Sequence, residues 1–458
     1  MSIPRILLTA GASGSGKTLL TCGILQCLKN RGLTVASFKC GPDYIDPMFH
    51  SKVIHTKSSN LDTFMMSKDR TAQVFADNSR GCDIAVIEGV MGYYDGVAGI
   101  STQASAYDVA SVTDTPVILL VNCKGMSVSV VPFIQGFMQY RKDSWIQGVI
   151  LNRISPMLYD RLKTLIEEQL EVRVLGYLPE VTEGVLQSRH LGLVLPQEIE
   201  ELQDNLQLLA QRLEQTLEMD QIIELAGTAP ELTAASQTTD EPNVESKLRI
   251  AVAKDEAFCF FYQDNFKMLE RLGAELVFFS PIHDTVLPDA ISGILLYGGY
   301  PELYAKELAR NVPMKEAIAA CLAQGMPCMA ECGGFMYLHE RMQDMQDTYY
   351  PMVGSIQGDV YRTDKLSRFG YLTLESETAR VFGQTIGAIP GHEFHYFDST
   401  NCGSDFTAYK PMSSRSWSCM HSTESLFCGF AHIHYDGNPR LPEVFLQAAA
   451  AFHLRINH

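Results

Sequence analysis

Short apolar runs recur along the first half of the chain, separated by segments whose hydrophobic positions return every three or four residues. The runs are Ile3–Ala10, Val35–Cys40, Ile84–Glu88, Val117–Asn122, Ile146–Asn152 and Val174–Leu178. Between them, Leu19–Asn30 and Leu158–Leu170 carry helical spacing. Strands alternating with helices predict βαβ units and a mostly parallel sheet. The pattern breaks over 226–247, a stretch rich in Ala, Thr, Ser, Glu and Pro with no aromatic residue, which reads as a linker. A second alternation follows: strands at Leu248–Ala253, Glu275–Phe279, Gly293–Tyr297 and Pro327–Ala330, with helices at Tyr262–Leu272, Met314–Ala323 and Phe335–Arg341. From about residue 348 the chain is richer in Gly and aromatics and reads as strands and hairpins around a second α/β core. The expected organisation is a domain over 1–225, a linker over 226–247 and a domain over 248–458.

A length of 458 residues, 46% hydrophobic and 19% charged, agrees with that division, being too long for one core. The net charge of −17 argues against a nucleic-acid partner, because neutralising phosphates needs basic stripes. None of the 12 cysteines forms a C-x-x-C pair, the start has no signal-peptide pattern, and no run of 18 apolar residues occurs. A cytoplasmic protein with reduced thiols and no membrane span is the expectation.

Candidate chemistry enters at two turns. Gly11-Ala12-Ser13-Gly14-Ser15-Gly16-Lys17-Thr18 matches the phosphate-binding loop G-x-x-x-x-G-K-[ST], placed between a strand and a helix as the motif requires. Gly11, Ser13, Gly14, Ser15 and Gly16 give backbone N–H groups to phosphates, Lys17 reaches the outer phosphates, and Thr18 offers its hydroxyl to magnesium. Glu88, ending an apolar strand, is the expected magnesium carboxylate, with Asp43 as a second. Asp43 and Asp46 bracket Tyr44 and Ile45 in a Gly/Pro-framed turn at the sheet edge where α/β proteins bind ligands. Asn152 ends another strand on that edge and is a candidate for reading the nucleotide base, though a strand-ending Asn also simply forms turns.

The second turn is Pro327-Cys328-Met329-Ala330-Glu331-Cys332-Gly333-Gly334: a short strand, a cysteine, two glycines and a helix. A nucleophile on a strand-to-helix elbow has this layout. The helix start favours the thiolate, and Gly333 leaves an N–H for an oxyanion. Gly299 and Tyr300, after another strand, are candidates for the second oxyanion donor and for holding the substrate. A base is needed, and His432 and His434 both lie downstream in the same domain. His392-Glu393-Phe394-His395 is not a zinc helix, since its histidines are three rather than four apart.

Taken together, Lys39–Pro47 with His50, Glu88–Gly96, Ala330–Gly334 and Gly391–Tyr396 resemble the cobyrinic acid a,c-diamide synthases over essentially the whole chain. The resemblance implies a P-loop domain similar to dethiobiotin synthetase and a class I glutamine amidotransferase domain of the cobyrinate/cobyric acid synthase type. It implies ATP-dependent amidation of the a and c acetates of a corrin ring, with glutamine or ammonia as nitrogen donor, ATP as co-substrate and Mg2+ as cofactor. It assigns Cys332 as nucleophile and His432 as its base, because Phe430-Ala431-His432 aligns with the family's Tyr-x-His. The Glu that most class I glutaminases carry two residues after the His is replaced by His434, so no residue is assigned to orient His432. Tyr44, His50, Asn60 and Arg189 are the candidates for contact with the macrocycle, beside Asp43 and Asp46 in the activation region.

The chemistry these residues predict is an acyl phosphate made from ATP and a carboxylate, then displaced by ammonia that Cys332 and His432 release from glutamine. Ammonia must avoid bulk water, where protonation removes its nucleophilicity, so a protected path and sites facing an interdomain cleft are expected. Two alternatives stand beside this reading. One is a,c-diamidation of Ni-sirohydrochlorin or hydrogenobyrinate. The other is a P-loop ATPase switch with an inert glutaminase-like module.

Overall fold

Strand β1 (Arg5–Ala10) is buried at every position, as are β2 (Val35–Cys40) and β4 (Ile84–Glu88), which explains why they are mostly apolar rather than alternating. The computed structural model describes residues 3–178, 196–232, 248–366 and 368–457. The chain divides into two units, Met1–Gln237 and Thr238–His458. In the first, β3 (Lys57–Leu61), β5 (Val117–Asn122), β6 (Ile146–Asn152) and β7 (Arg173–Leu178) complete a seven-stranded parallel sheet in the order β3-β2-β4-β1-β5-β6-β7. One apolar core lies on each face, around Phe38, Phe75 and Val149 on one side and Leu25, Val86 and Leu213 on the other. β1 has β4 on one side and β5 on the other, which makes it the switch point where such sheets open a crevice at their C-terminal edge.

Sequence periodicity misses β3. Its residues, Lys-Ser-Ser-Asn-Leu, form the sheet's edge with β2 as single neighbour, so backbone pairing defines the strand without an apolar pattern. The helix after 178 is also unforeseen: Pro196–Thr216 packs on helix α1 (Lys17–Asn30). The following helix, Met219–Gly227, reaches into the expected linker, whose residues 233–247 lie outside the described residues.

Arg5, at the start of β1, is fully buried. Its guanidinium donates to the carbonyls of Thr113 (2.7 Å), Ile3 (3.1 Å), Asp114 (3.2 Å) and Pro230 (2.7 Å). One side chain thus ties the bottom of the central strand to the last described residues of the unit.

The second unit is built on a six-stranded sheet in the order Ala274–Phe279, Leu248–Ala253, Gly293–Leu296, Cys328–Glu331, Leu426–Gly429, His421–Ser422. The first five are parallel and the last pairs antiparallel. Two four-stranded sheets, one of them carrying Arg368–Glu375 and Ile389–His395, supply the hairpins expected after residue 348. The helix expected over Phe335–Arg341 is shorter: it spans Gly333–Tyr337, and His339–Gln343 is a strand paired with Ile356–Arg362. His339 turns the chain there, its buried ring bonded to the Phe335 carbonyl (2.9 Å) and the Ser399 hydroxyl (2.7 Å). No helix among the described residues is long and apolar enough to cross a membrane, and all twelve cysteines are free thiols.

Candidate active sites

The loop between β1 and α1 curls back on itself. The Ser15 hydroxyl donates to the Ala12 carbonyl (2.9 Å), while Ala12, Ser13 and Gly14 stay exposed at its crown. Gly16, at φ 92°, occupies the left-handed region just before the helix, and a Cβ there would sit 3.0 Å from Asn152 Nδ2. Asn152 donates from that nitrogen to the Ser15 carbonyl (2.8 Å), so the β6 end braces the loop. Lys17 folds over the loop and donates to the carbonyls of Ala12 (2.9 Å) and Met91 (2.5 Å). Burial, then Lys39, holds its pKa below that of a free lysine.

Behind the loop lies a charged cluster. The Thr18 hydroxyl donates to Glu88 Oε1 (2.7 Å), and Lys39 Nζ donates to the same oxygen (2.8 Å) and lies 2.6 Å from Asp46 Oδ2. His50 Nε2 is 3.5 Å from Glu88 Oε2. Lys39 and Glu88 are direct cross-strand partners of β2 and β4, so parallel register sets this contact. Burial alone would raise Glu88, but Lys39 and His50 outweigh it and hold the carboxylate well below its usual range. Asp46 goes the other way, raised by burial and then by the Glu88 charge. Lys39 is kept protonated because Glu88, Asp46 and Asp43 outweigh its burial.

The remaining candidates of this region fall into place around the turn. Asp43 Oδ1 accepts from the amides of Ile45 (2.8 Å) and Asp46 (3.3 Å), capping helix α2 (Ile45–Lys52), which carries His50. Asn60 uses its amide nitrogen on the carbonyls of Gly41 (2.9 Å) and Asp43 (2.7 Å), so it fixes the turn from β3. Tyr44 is half-buried beside them. Arg189 lies outside the described residues. Among the described residues no cluster of three or more His, Cys, Asp or Glu side chains could hold a metal ion alone. A metal in this region therefore needs phosphate or water oxygens beside Thr18 and Glu88, as magnesium at a triphosphate has.

In the second unit Cys332 caps the five-residue helix at φ 46°, ψ −104°, a strained backbone for a residue with a Cβ. Its N–H donates to Gly429 O (2.8 Å) and its C=O accepts from Met336 N (2.8 Å), so both neighbouring elements enforce the strain. A Cβ on Gly333 would lie 3.1 Å from the Gly299 nitrogen, which puts the two candidate oxyanion glycines side by side. The Tyr300 N–H donates to the Ala257 carbonyl (2.9 Å). A Cβ on Gly298 would come within 2.4 Å of His432 Cε1, so the imidazole rests on that glycine.

His432 is 2% exposed, and its backbone exchanges two hydrogen bonds with His392 (2.9 and 3.1 Å). Burial lowers its pKa, but Cys332 and then Glu331 outweigh that and push it up to about 10. Its Nδ1 lies 3.8 Å from Glu331 Oε2. His434 points elsewhere, with Nδ1 3.7 Å from Asp436 Oδ2 and its ring against Tyr262. His392 and His395 sit on a strand, not a helix; His395 stacks on Phe430 at 4.1 Å. Burial and His432 push His392 down to about 3, so it is neutral.

Sequence reasoning missed Lys39 and Glu331 as members of these clusters. The available signal was a charged residue inside an otherwise apolar strand, one residue before its end in β2 and at the end of Cys328–Glu331.

Residues 6–191 match the model of the CobQ/CobB/MinD/ParA nucleotide binding domain, and residues 249–439 that of the CobB/CobQ-like glutamine amidotransferase domain. A cobyrinate a,c-diamide synthase of Dehalococcoides mccartyi (strain CBDB1) is 38% identical over 460 residues, covering 99% of both chains. The enzyme of that name from Priestia megaterium is 35% identical over 453 residues, covering 98% of both. Among solved structures, PurLQS from Thermotoga maritima is similar at 17% identity and TM-score 0.33, covering 45% of this chain and 99% of that one. The signal recognition particle receptor FtsY from Elizabethkingia anophelis is similar at 14% identity and TM-score 0.29, covering 39% and 57%.

Proposed function

The chain belongs to the cobyrinate a,c-diamide synthase family, and from that premise we propose that it converts the a and c acetate carboxylates of cobyrinate to amides, using ATP and glutamine. The observation that carries the reading is one chain holding two complementary centres: a phosphate loop backed by Thr18, Lys39 and Glu88, and a strained Cys332 beside His432.

A carboxylate is a poor acceptor because oxide is its leaving group, so the first centre must make it an acyl phosphate. The loop amides and Lys17 bind and orient the triphosphate. Thr18 Oγ1 and Glu88 Oε1 are paired hard oxygens, which fits magnesium, while Glu88 Oε2 faces His50 at 3.5 Å. Magnesium held there supplies charge neutralisation on the transferring phosphoryl group. Asn152 keeps Gly16 and Ser15 in phosphate-binding geometry. Asp43 and Asn60 hold the turn before the helix that brings Asp46 and His50 to the side of Glu88.

At the second centre Cys332 attacks the carboxamide carbon of glutamine and the carbonyl oxygen becomes an oxyanion facing Gly299 and Gly333. His432 gives its proton to the departing ammonia, and water then releases glutamate. Ammonia displaces phosphate from the acyl phosphate. Incubation with ATP, glutamine and cobyrinate, followed by mass spectrometry, is expected to give the diamide with one ADP and one glutamate per amide. Cys332→Ala is expected to lose glutamine-driven amidation by about 10³-fold or more and to keep ammonia-driven amidation. Glutamate release at the original rate by this variant would refute the nucleophile. ATP hydrolysis stimulated only by a macromolecule, without glutamate, would point to the switch reading instead.

A further inference from the structure

The histidine of a cysteine–histidine pair needs a group that fixes its tautomer and stabilises its cation. The position two residues after His432 is His434, which faces Asp436. The carboxylate nearest His432 comes instead from the residue before the nucleophile. Glu331 Oε2 lies 3.8 Å from His432 Nδ1 and 3.4 Å from the Ile433 N–H, which donates to it. The carboxyl is buried at the end of the strand Cys328–Glu331, so the strand that aims the cysteine also carries the acid. Asn265 locks the opposing segment, donating to the Ile433 carbonyl (2.9 Å) and accepting from the Tyr435 N–H (2.8 Å).

We propose that Glu331 is the positioning residue of the glutaminase, holding the Nδ1–H of His432 so that Nε2 serves Cys332 and the departing ammonia. The inference rests on the assignment of Cys332 and His432. A separation of 3.8 Å is an ion pair rather than a hydrogen bond, and catalytic contacts of this kind tighten once substrate is bound. Strand and backbone anchors on both sides leave only the two side chains to move. The other ionisable groups facing the pair are Cys332, His392, His434, Tyr297 and Tyr435. Of these, His392 is neutral and the tyrosines stay protonated because burial raises both. Burial raises the Glu331 carboxyl, against the lowering by His432 and the Ile433 N–H, and Glu331 is the carboxyl that faces His432 from beyond the thiol.

The test uses the full chain and measures glutamine hydrolysis against pH. Glu331→Gln keeps the shape and an acceptor for Ile433 N–H while removing the charge. The expected result is a kcat lower by about 10²–10⁴-fold with the KM for glutamine nearly unchanged. The alkaline limb of the kcat profile, set by loss of the His432 proton, moves down by about 1–3 pH units. A merely structural role would lower the whole profile without moving that limb. Glu331→Asp, which retains the charge, is expected to keep the limb in place and lose less kcat; a limb that moves in Glu331→Asp overturns the proposal, and this holds even if Glu331→Gln fails to fold. Wild-type kcat in Glu331→Gln, or an unmoved limb in both variants, overturns the proposal. So does a limb shifted by Asp436→Asn instead. Glutaminase activity surviving Cys332→Ala would be a different failure, that of the underlying assignment.

Discussion

Replacing Lys39 by methionine tests whether the cluster behind the phosphate loop is organised by one buried cation. Lys39 is 4% exposed, and its ammonium lies 2.8 Å from Glu88 and 2.6 Å from Asp46. Methionine fills similar space but leaves the buried Glu88 and the partly buried Asp46 without their shared cation, with the Thr18 hydroxyl, His50 and the Lys17 charge remaining near Glu88. Removing one partner of a buried ion pair costs about 3–5 kcal/mol. The Asp46 side chain is 15% exposed and can take a proton or water, which argues for the lower end. For a unit of this size, about 3 kcal/mol lowers Tm by roughly 6–12 °C. The pH dependence has a definite sign. Asp46 is already raised in the wild type, and losing Lys39 raises it further and removes the main cause that lowers Glu88, so the variant takes up more protons on folding than the wild type and the deficit shrinks as pH falls. Differential scanning calorimetry at pH 8, 7 and 5.5 should show the gap between variant and wild type narrowing with acidification. A gap under about 2 °C at neutral pH, or one that widens in acid, would refute the reasoning. Adding Glu88→Gln and Asp46→Asn to Lys39→Met should restore much of the lost stability, since a neutral cluster needs no cation.

Gly298→Ala forces the His432 ring from its seat, since the new Cβ would overlap Cε1; we expect glutaminase kcat to fall about 10²-fold, measured as glutamate release, while the first unit's melting is unchanged. Asn152→Ala removes the brace on the Ser15 carbonyl and should raise the KM for ATP several-fold, with GTP affected equally in a competition assay; a loss of ATP preference alone would show instead that Asn152 reads the base.

The fold was readable where a local rule suffices. A parallel sheet buried on both faces writes itself as apolar runs, and eight consecutive residues spell the phosphate loop. The polar edge strand Lys57–Leu61 was not readable, because its backbone and not its side chains defines it. The same limit applies to chemistry. Lys39 becomes a partner of Glu88 through strand pairing across 49 residues of sequence, which no spacing rule anticipates. The motif rule for a carboxylate beside His432 points two residues ahead along the chain, whereas the fold brings Glu331 from 101 residues behind, on the strand next to Leu426–Gly429. Asn60, a candidate for contact with the macrocycle, places its amide nitrogen on the carbonyls of Gly41 and Asp43, a pairing across strands that its position in the sequence does not show.

The arginine beneath β1 decides how short a self-sufficient piece of the first unit can be. Its guanidinium closes on the Pro230 carbonyl, so a fragment ending at the last helix, at Gly227, would lack that acceptor and open a wet gap under the central strand. A fragment ending at 232 keeps it. The last described residues of the first unit thus end at the foot of β1, whereas the nucleotide loop grows from its head.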